Sequence, residues 1–266
     1  MNTPFDQVAD AIQLTAQEEI LPRFRALGDD DVRTKQNAYD LVTVADEAAE
    51  ARLRERLTAL LPGSITVGEE AVSNDPSLLD RLQRDDDIWI IDPVDGTWNF
   101  AHGTENFCVM VALARGKTVI AAWIHEPLRR RTVWAERGGG AWLLDLDAGL
   151  TERLSLPTPP PLAAQYGFAY HQRLNPGAPM TVKKLGSAGV EYVQILTGEA
   201  HFSTYDRSYP WDHAPGSLLI TEAGGGYGFV DGAPYQPGGG HQRGVLTAAR
   251  PALWAHVRDA LLTPTA

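Results

Sequence analysis

Cysteine occurs once in 266 residues, which excludes an internal disulfide and any zinc centre built from several thiolates. That cysteine, Cys108, lies in the apolar run Phe107-Cys108-Val109-Met110-Val111, where a thiol packs as a small inert hydrophobe. Positive charge is also scarce: 23 lysines and arginines stand against 34 aspartates and glutamates, a net charge of -11. Nucleic-acid and anionic-membrane surfaces need clustered basic residues, so neither partner is expected. No stretch approaches the roughly 20 apolar residues of a membrane span. The mixed segment Met1 to Asp10 lacks the basic region and apolar run of a targeting signal. Together these absences point to a reduced, cytoplasmic setting.

What is present is an ordinary folded composition, 44% apolar and 21% charged, long enough for one large domain or two interleaved subdomains. The chain is organised around Asp87-Ile88-Trp89-Ile90-Ile91-Asp92-Pro93-Val94-Asp95-Gly96-Thr97-Trp98-Asn99-Phe100. Its apolar run predicts a buried strand that ends at Asp92-Pro93, because proline cannot donate to a ladder. Asp95 follows in an Asp-Gly turn, and Thr97 or Asn99 can start a helix whose free amides attract an anion. Carboxylates held this close repel unless a cation sits between them. The stretch reads as half of a divalent-metal and phosphate site.

Upstream, Phe5, Val8, Ala9, Ile12 and Ala16 recur at helical spacing, in a helix that Pro22 or Gly28 should kink or end. Thr43 and Asp46 have capping-box spacing at the head of a helix running to about Leu60 and stopped by Pro62-Gly63. Ile65-Thr66-Val67 predicts a short strand that delivers Glu69, as the central strand delivers Asp92. Downstream, Phe107 to Leu113 and Thr118 to Ile124 form a hairpin, and runs to Leu144 continue an antiparallel meander. Trp123, Trp134 and Trp142 read as sheet anchors, since no basic residues interleave with them.

The prolines from Pro157 to Pro161 mark a change of pattern. The expected organisation is an amino-terminal α+β portion over 1–150 and a smaller α/β portion over 151–266. In the latter, Ala188 to Thr197 predicts a helix ended by Gly198, and Asp212 precedes an apolar helix stopped at Gly224, as an N-cap would. Gly244 to Ala248 predicts a strand and Pro251 to Leu262 a final helix.

Laid out in order, Gly68-Glu69-Glu70, Asp92-Pro93-Val94-Asp95-Gly96-Thr97, and Trp211-Asp212 with Thr221-Glu222-Ala223-Gly224-Gly225 resemble the motifs of the inositol monophosphatase family. The resemblance implies an αβαβα layered sandwich in the α+β class, a homodimer, lithium sensitivity and Mg²⁺-dependent hydrolysis of a phosphomonoester. It implies Glu69, Asp92 and the Val94 carbonyl as ligands of one ion and Asp92, Asp95 and Asp212 as ligands of a second, with a weaker third at Glu69. Thr97 and Asp46 match groups that position the attacking water, Lys35 matches a lysine near the site, and the Gly96 and Thr97 amides would cradle the phosphate. Gly186, Ser187, Ala188 and Tyr205 match substrate-facing positions, with Tyr205 standing where the animal enzymes carry an acidic inositol contact. The ligand set is all oxygen, which suits a hard cation. A small phosphorylated polyol, inositol 1-phosphate first, is the implied substrate. Histidinol phosphate, a 3'-phosphorylated nucleotide, or a non-catalytic regulatory role on the same fold are the alternatives.

Overall fold

The computed structural model describes residues 4–35 and 40–263; Met1 to Thr3 of the amino-terminal segment read above lie outside them. Helix α1 (Pro4–Thr15) continues through a π turn into a 3₁₀ turn, Leu21–Arg23, that contains Pro22. Two strands that the sequence does not signal, β1 (Val32–Thr34) and β2 (Leu41–Thr43), pair antiparallel and lead into α2 (Val44–Leu60).

A seven-stranded sheet follows in the order β3 (Ile65–Gly68), β4 (Asp87–Asp95), β5 (Cys108–Arg115), β6 (Thr118–Glu126), β7 (Arg131–Glu136), β8 (Gly140–Asp145) and β9 (Leu150–Leu154). Only the β3–β4 pair is parallel. Two short helices interrupt it, α3 (Glu69–Asn74) after β3 and α4 (Thr97–Ala101) after β4. The boundary expected at residue 150 falls on the first residue of β9, which adds an unsignalled last strand to the meander.

A five-stranded mixed sheet holds β10 (Tyr166–Tyr170), β11 (Thr181–Lys183), β12 (Phe202–Tyr205), β13 (Gly226–Phe229) and β14 (Val245–Ala248), in the order β11-β10-β12-β14-β13. Helices α5 (Ala188–Leu196) and α6 (Pro210–Glu222) lie between the sheets, and α7 (Trp254–Leu261) covers the far face.

Strand parity builds the layers. On β4, Trp89 and Ile91 pack with Ile12 of α1 and Leu53 of α2, while Ile88 and Ile90 face Val190 of α5 and Leu218 of α6. On β12 and β14, Phe202, Leu246 and Ala248 pack on Val257 and Leu261 of α7. The result is the αβαβα sandwich, with its amino-terminal sheet almost wholly antiparallel. Among the described residues no helix is long and apolar enough to cross a membrane.

Candidate active site

The central strand does not stop at Pro93. It runs to Asp95 through a register shift between Asp92 and Asp95. Asp92 shares the parity of Ile88 and Ile90 and so points toward α6. In a regular strand Asp95 would point the other way. The irregularity around Pro93 sends the Val94 side chain into the α1–α2 core instead, and Asp95 emerges on the same side as Asp92. Asp212 comes down to meet them from α6. It is not the N-cap that its position before an apolar run predicts: Tyr209 holds that place, Pro210 opens the helix, and Asp212 lies in the first turn. The three carboxylates present oxygens that all lie within 4.8 Å of one another.

Electrostatics follow from the packing. Burial, then repulsion from Glu69, Asp95 and Asp212, pushes Asp92 well above the usual carboxylate range. Burial with Glu69 and Asp95 does the same to Asp212, which still opens on the cleft. Burial also raises Asp95, against hydrogen bonds that favour its charge. Three of those bonds come from the head of α5, where the Ser187 hydroxyl donates to Oδ2 at 2.5 Å, the Gly189 amide to Oδ2 at 2.7 Å and the Ala188 amide to Oδ1 at 3.2 Å, and the Cys108 thiol of β5 adds a fourth at 3.5 Å. The charge of Asp95 therefore sits at the amino terminus of α5, where a helix dipole favours it.

Two further acids complete the cleft. The Thr43–Asp46 capping box forms as its spacing predicts, with the Thr43 amide donating to Asp46 Oδ2 at 2.9 Å. The other Asp46 oxygen accepts from the Thr97 hydroxyl at 3.1 Å, so the capping-box residue also braces a side chain that lines the cleft. Burial outweighs the Thr43 bonds and lifts the Asp46 carboxyl to about 7. Glu69 opens α3 and accepts from Lys35 Nζ at 2.8 Å, while Glu70 accepts from the same ammonium at 2.7 Å. Burial lowers the Lys35 pKa, but attraction to both glutamates outweighs it and the net shift is upward.

Gly96 and Gly68 shape the backbone. Gly96 sits at φ +91°, and a Cβ there would stand 2.6 Å from the Asn106 carbonyl. That conformation starts α4 and turns Thr97 toward the cleft. At Gly68 a Cβ would overlap the Glu50 carboxyl group. Glu50 fills that space to cap α3, accepting from the Glu70 amide at 2.7 Å and the Ala71 amide at 2.9 Å.

The resulting cleft, about 170 Å³, is lined by Glu69, Asp92, Val94, Asp95, Thr97 and Asp212, with Gly96, Trp98 and Gly186 at its edge. An adjoining cavity of about 550 Å³ shares Glu69 and Asp212 and reaches Lys35, Arg207, Tyr209 and His241. The chemistry of the donors fits a divalent cation: buried oxygens of one sign converge, and the lysine at their rim is spent on Glu69 and Glu70.

Three positions expected to contact substrate do not line the cleft. Gly186 lines the cleft, but Ser187 and Ala188 are buried behind it, and the Ser187 hydroxyl is committed to Asp95 while it caps α5. Tyr205 does not line the cleft. Its hydroxyl donates to Glu191, and its ring stacks on Tyr170 at 5.4 Å. Glu191 also accepts from the Tyr170 hydroxyl at 2.6 Å and the Leu185 amide at 3.0 Å. It holds the Gly186 loop from within. Asn99 holds the same loop from the other side, donating to the Leu185 carbonyl at 2.8 Å. Glu50 and Glu191 escaped the sequence reading because an acid in a helix reads as solvated surface; only their places on the inward faces of α2 and α5 distinguish them.

The family comparison gives this layered sandwich and acid-lined cleft a class, the phosphomonoester hydrolases of the metal-dependent kind. The model of the inositol monophosphatase family matches residues 1–261, and the chain belongs to that family. It is 34% identical over 194 residues to an inositol-1-monophosphatase of Rhizobium meliloti, covering 70% of this chain and 71% of the relative. It is 29% identical over 199 residues to a fructose-1,6-bisphosphatase/inositol-1-monophosphatase of Thermotoga maritima, covering 74% of each chain. Among solved structures, an IMPase of Thermotoga maritima superposes with a TM-score of 0.78 at 22% identity over 96% of both chains. An IMPase/NADP phosphatase complexed with NADP and Ca²⁺ reaches 0.80 at 16% identity over 97% of both.

Proposed function

We propose that this protein hydrolyses a small phosphorylated polyol, inositol 1-phosphate first, with Mg²⁺ as its cation. The observation that carries the reading is the convergence of Asp92, Asp95 and Asp212 within 4.8 Å beside Thr97 and Asp46. Glu69, Asp92 and the Val94 carbonyl would hold one ion, and Asp92, Asp95 and Asp212 another. A divalent cation bound there supplies charge neutralisation for the phosphoryl group and acidifies water. Phosphomonoester hydrolysis needs on the order of 20 kcal/mol of barrier reduction, and bare carboxylates would repel the substrate.

The chain's own residues contribute position. Thr97 has one hydroxyl proton and two acceptors, Asp46 Oδ1 at 3.1 Å and the Val94 carbonyl at 3.0 Å. Its oxygen lone pairs are thereby left for a water, which Thr97 orients toward phosphorus from the Asp46 side. The water oxygen bonds to phosphorus as the phosphorus–ester oxygen bond breaks; the water gives up one proton and the leaving oxygen takes one up from solvent, so that the alcohol departs toward the adjoining cavity and inorganic phosphate remains. Gly96 and Thr97 present backbone amides to the phosphoryl oxygens at the start of α4. The reading also carries a homodimer, a cytoplasmic location and lithium inhibition, each supported by family membership.

A panel of phosphomonoesters compared by kcat/KM across a Mg²⁺ titration tests this, because specificity is a ratio of those constants. Inositol 1-phosphate should lead the panel, with activity that rises with Mg²⁺ and falls with millimolar-scale lithium. Release of no phosphate from any substrate at any Mg²⁺ concentration would leave a binding role in its place.

A further inference from the structure

A separate cavity of about 600 Å³ opens where the end of α7 meets the turns around Arg173 and Arg243, and it shares no lining residue with the acid cleft. Three half-buried arginines reach it, Arg173, Arg243 and Arg258, with Asp231 and Asp259 as the accompanying acids. In a chain of net charge -11, this is a local excess of positive charge.

The arginines are held in different ways. Arg243 donates to Asp231 at 2.5 Å, and its guanidinium lies over Phe229, 3.8 Å from the ring centre. Asp231 is fixed in turn by the Ala233 amide at 2.9 Å. Arg258 pairs with its sequence neighbour Asp259 at 2.8 Å, but that carboxylate is 66% exposed and holds it weakly. The Arg173 guanidinium has no hydrogen bond or ion pair among the described residues, although its backbone is pinned: its carbonyl accepts from the Thr263 amide at 2.9 Å and its amide donates to His171 Nδ1 at 3.2 Å. A guanidinium with no acid partner among the described residues, on a fixed backbone and beside two others, is a preorganised anion site.

We propose that this cavity binds a small organic phosphate carrying at least two negative charges. Its phosphoryl oxygens meet Arg173 and the free donors of Arg243 and Arg258, and its organic part lies against Val230 and Leu262. The volume is that of an ordinary small-molecule pocket, and planar guanidinium forks match phosphoryl oxygens in pairs.

Calorimetric titration of the full chain tests the proposal, with ADP as the probe and no divalent metal added, so that the acid cleft repels anions. One ADP is expected to bind per chain, and Arg173→Ala should weaken it by about tenfold or more. The same variant should keep the wild-type circular dichroism spectrum and Mg²⁺-dependent phosphatase rate, since Arg173 lies outside the cleft. Arg243→Ala provides an independent second loss. No binding up to millimolar ADP, affinity unchanged by both substitutions, or citrate binding as tightly as ADP would each overturn it.

Discussion

Thr97 and Asp46 stand 51 residues apart in sequence, yet the Thr97 hydroxyl donates to Asp46 Oδ1 at 3.1 Å while Oδ2 of the same carboxylate caps α2. One side chain thus fixes both a helix terminus and the hydroxyl proposed to orient water. Thr97→Val keeps the shape and removes the hydroxyl, so kcat should fall by about 10²-fold, with KM and melting temperature little changed. Thr97→Ser restores the donor and should recover most of the rate. Steady-state kinetics on both variants decides between a positioning and a packing role.

Asp92→Asn and Asp212→Asn should each abolish turnover while the fold persists. They should also stabilise the metal-free protein, because each removes a charge from a cluster whose members raise one another's pKa. Relief of about 1 kcal/mol corresponds to a rise of roughly 2–4 °C in melting temperature. Thermal scans in chelator, run beside a phosphate-release assay, measure both effects. A lower melting temperature or near-normal turnover would contradict the arrangement.

Gly68→Ala should cost about 1–3 kcal/mol, since the new methyl takes the space of the Glu50 carboxyl group and strips its two bonds from the head of α3. The penalty should largely vanish in a Glu50→Ala background, where nothing is left to displace. Urea titration of the two single variants and the double variant gives the coupling directly.

His125 is buried on β6, and burial lowers its pKa from 6.5 to about 4. It folds neutral, so the unfolded chain binds the extra proton. Its contribution to stability is complete above pH 6.5 and is lost as pH falls from there toward 4. Between pH 7.5 and 5 the loss is about 2 kcal/mol. Comparison with His125→Gln at both pH values isolates it from the other titrating groups, and the variant should lose less stability over the same interval.

The local signals in the sequence were accurate where one segment determined the outcome. Thr43 with Asp46 reads as a capping box, and it forms; Ile88 to Asp92 reads as a strand bringing an acid to its end, and the strand forms but runs on past Pro93 to Asp95. Pro210 is itself a natural first helical residue, which moves Asp212 inside the turn. Ser187 and Tyr205 show the limit. Ser187 meets Asp95 across 92 residues, and Tyr205 meets Glu191 because β12 turns that face toward α5. Neither bond leaves a pattern in its own segment. Position in a motif located both residues and was silent on where their hydroxyls point.

Asp95 ends β4 in the first half of the chain, but three of its hydrogen-bond donors belong to Ser187, Ala188 and Gly189, and its companion Asp212 lies further on still. The acid cluster is therefore assembled only once α5 and α6 have joined the strand. A chain growing from its amino terminus carries Asp92 and Asp95 long before it carries anything to hold them together. Convergence of the three carboxylates marks the finished molecule, and a truncated or misdocked one lacks it.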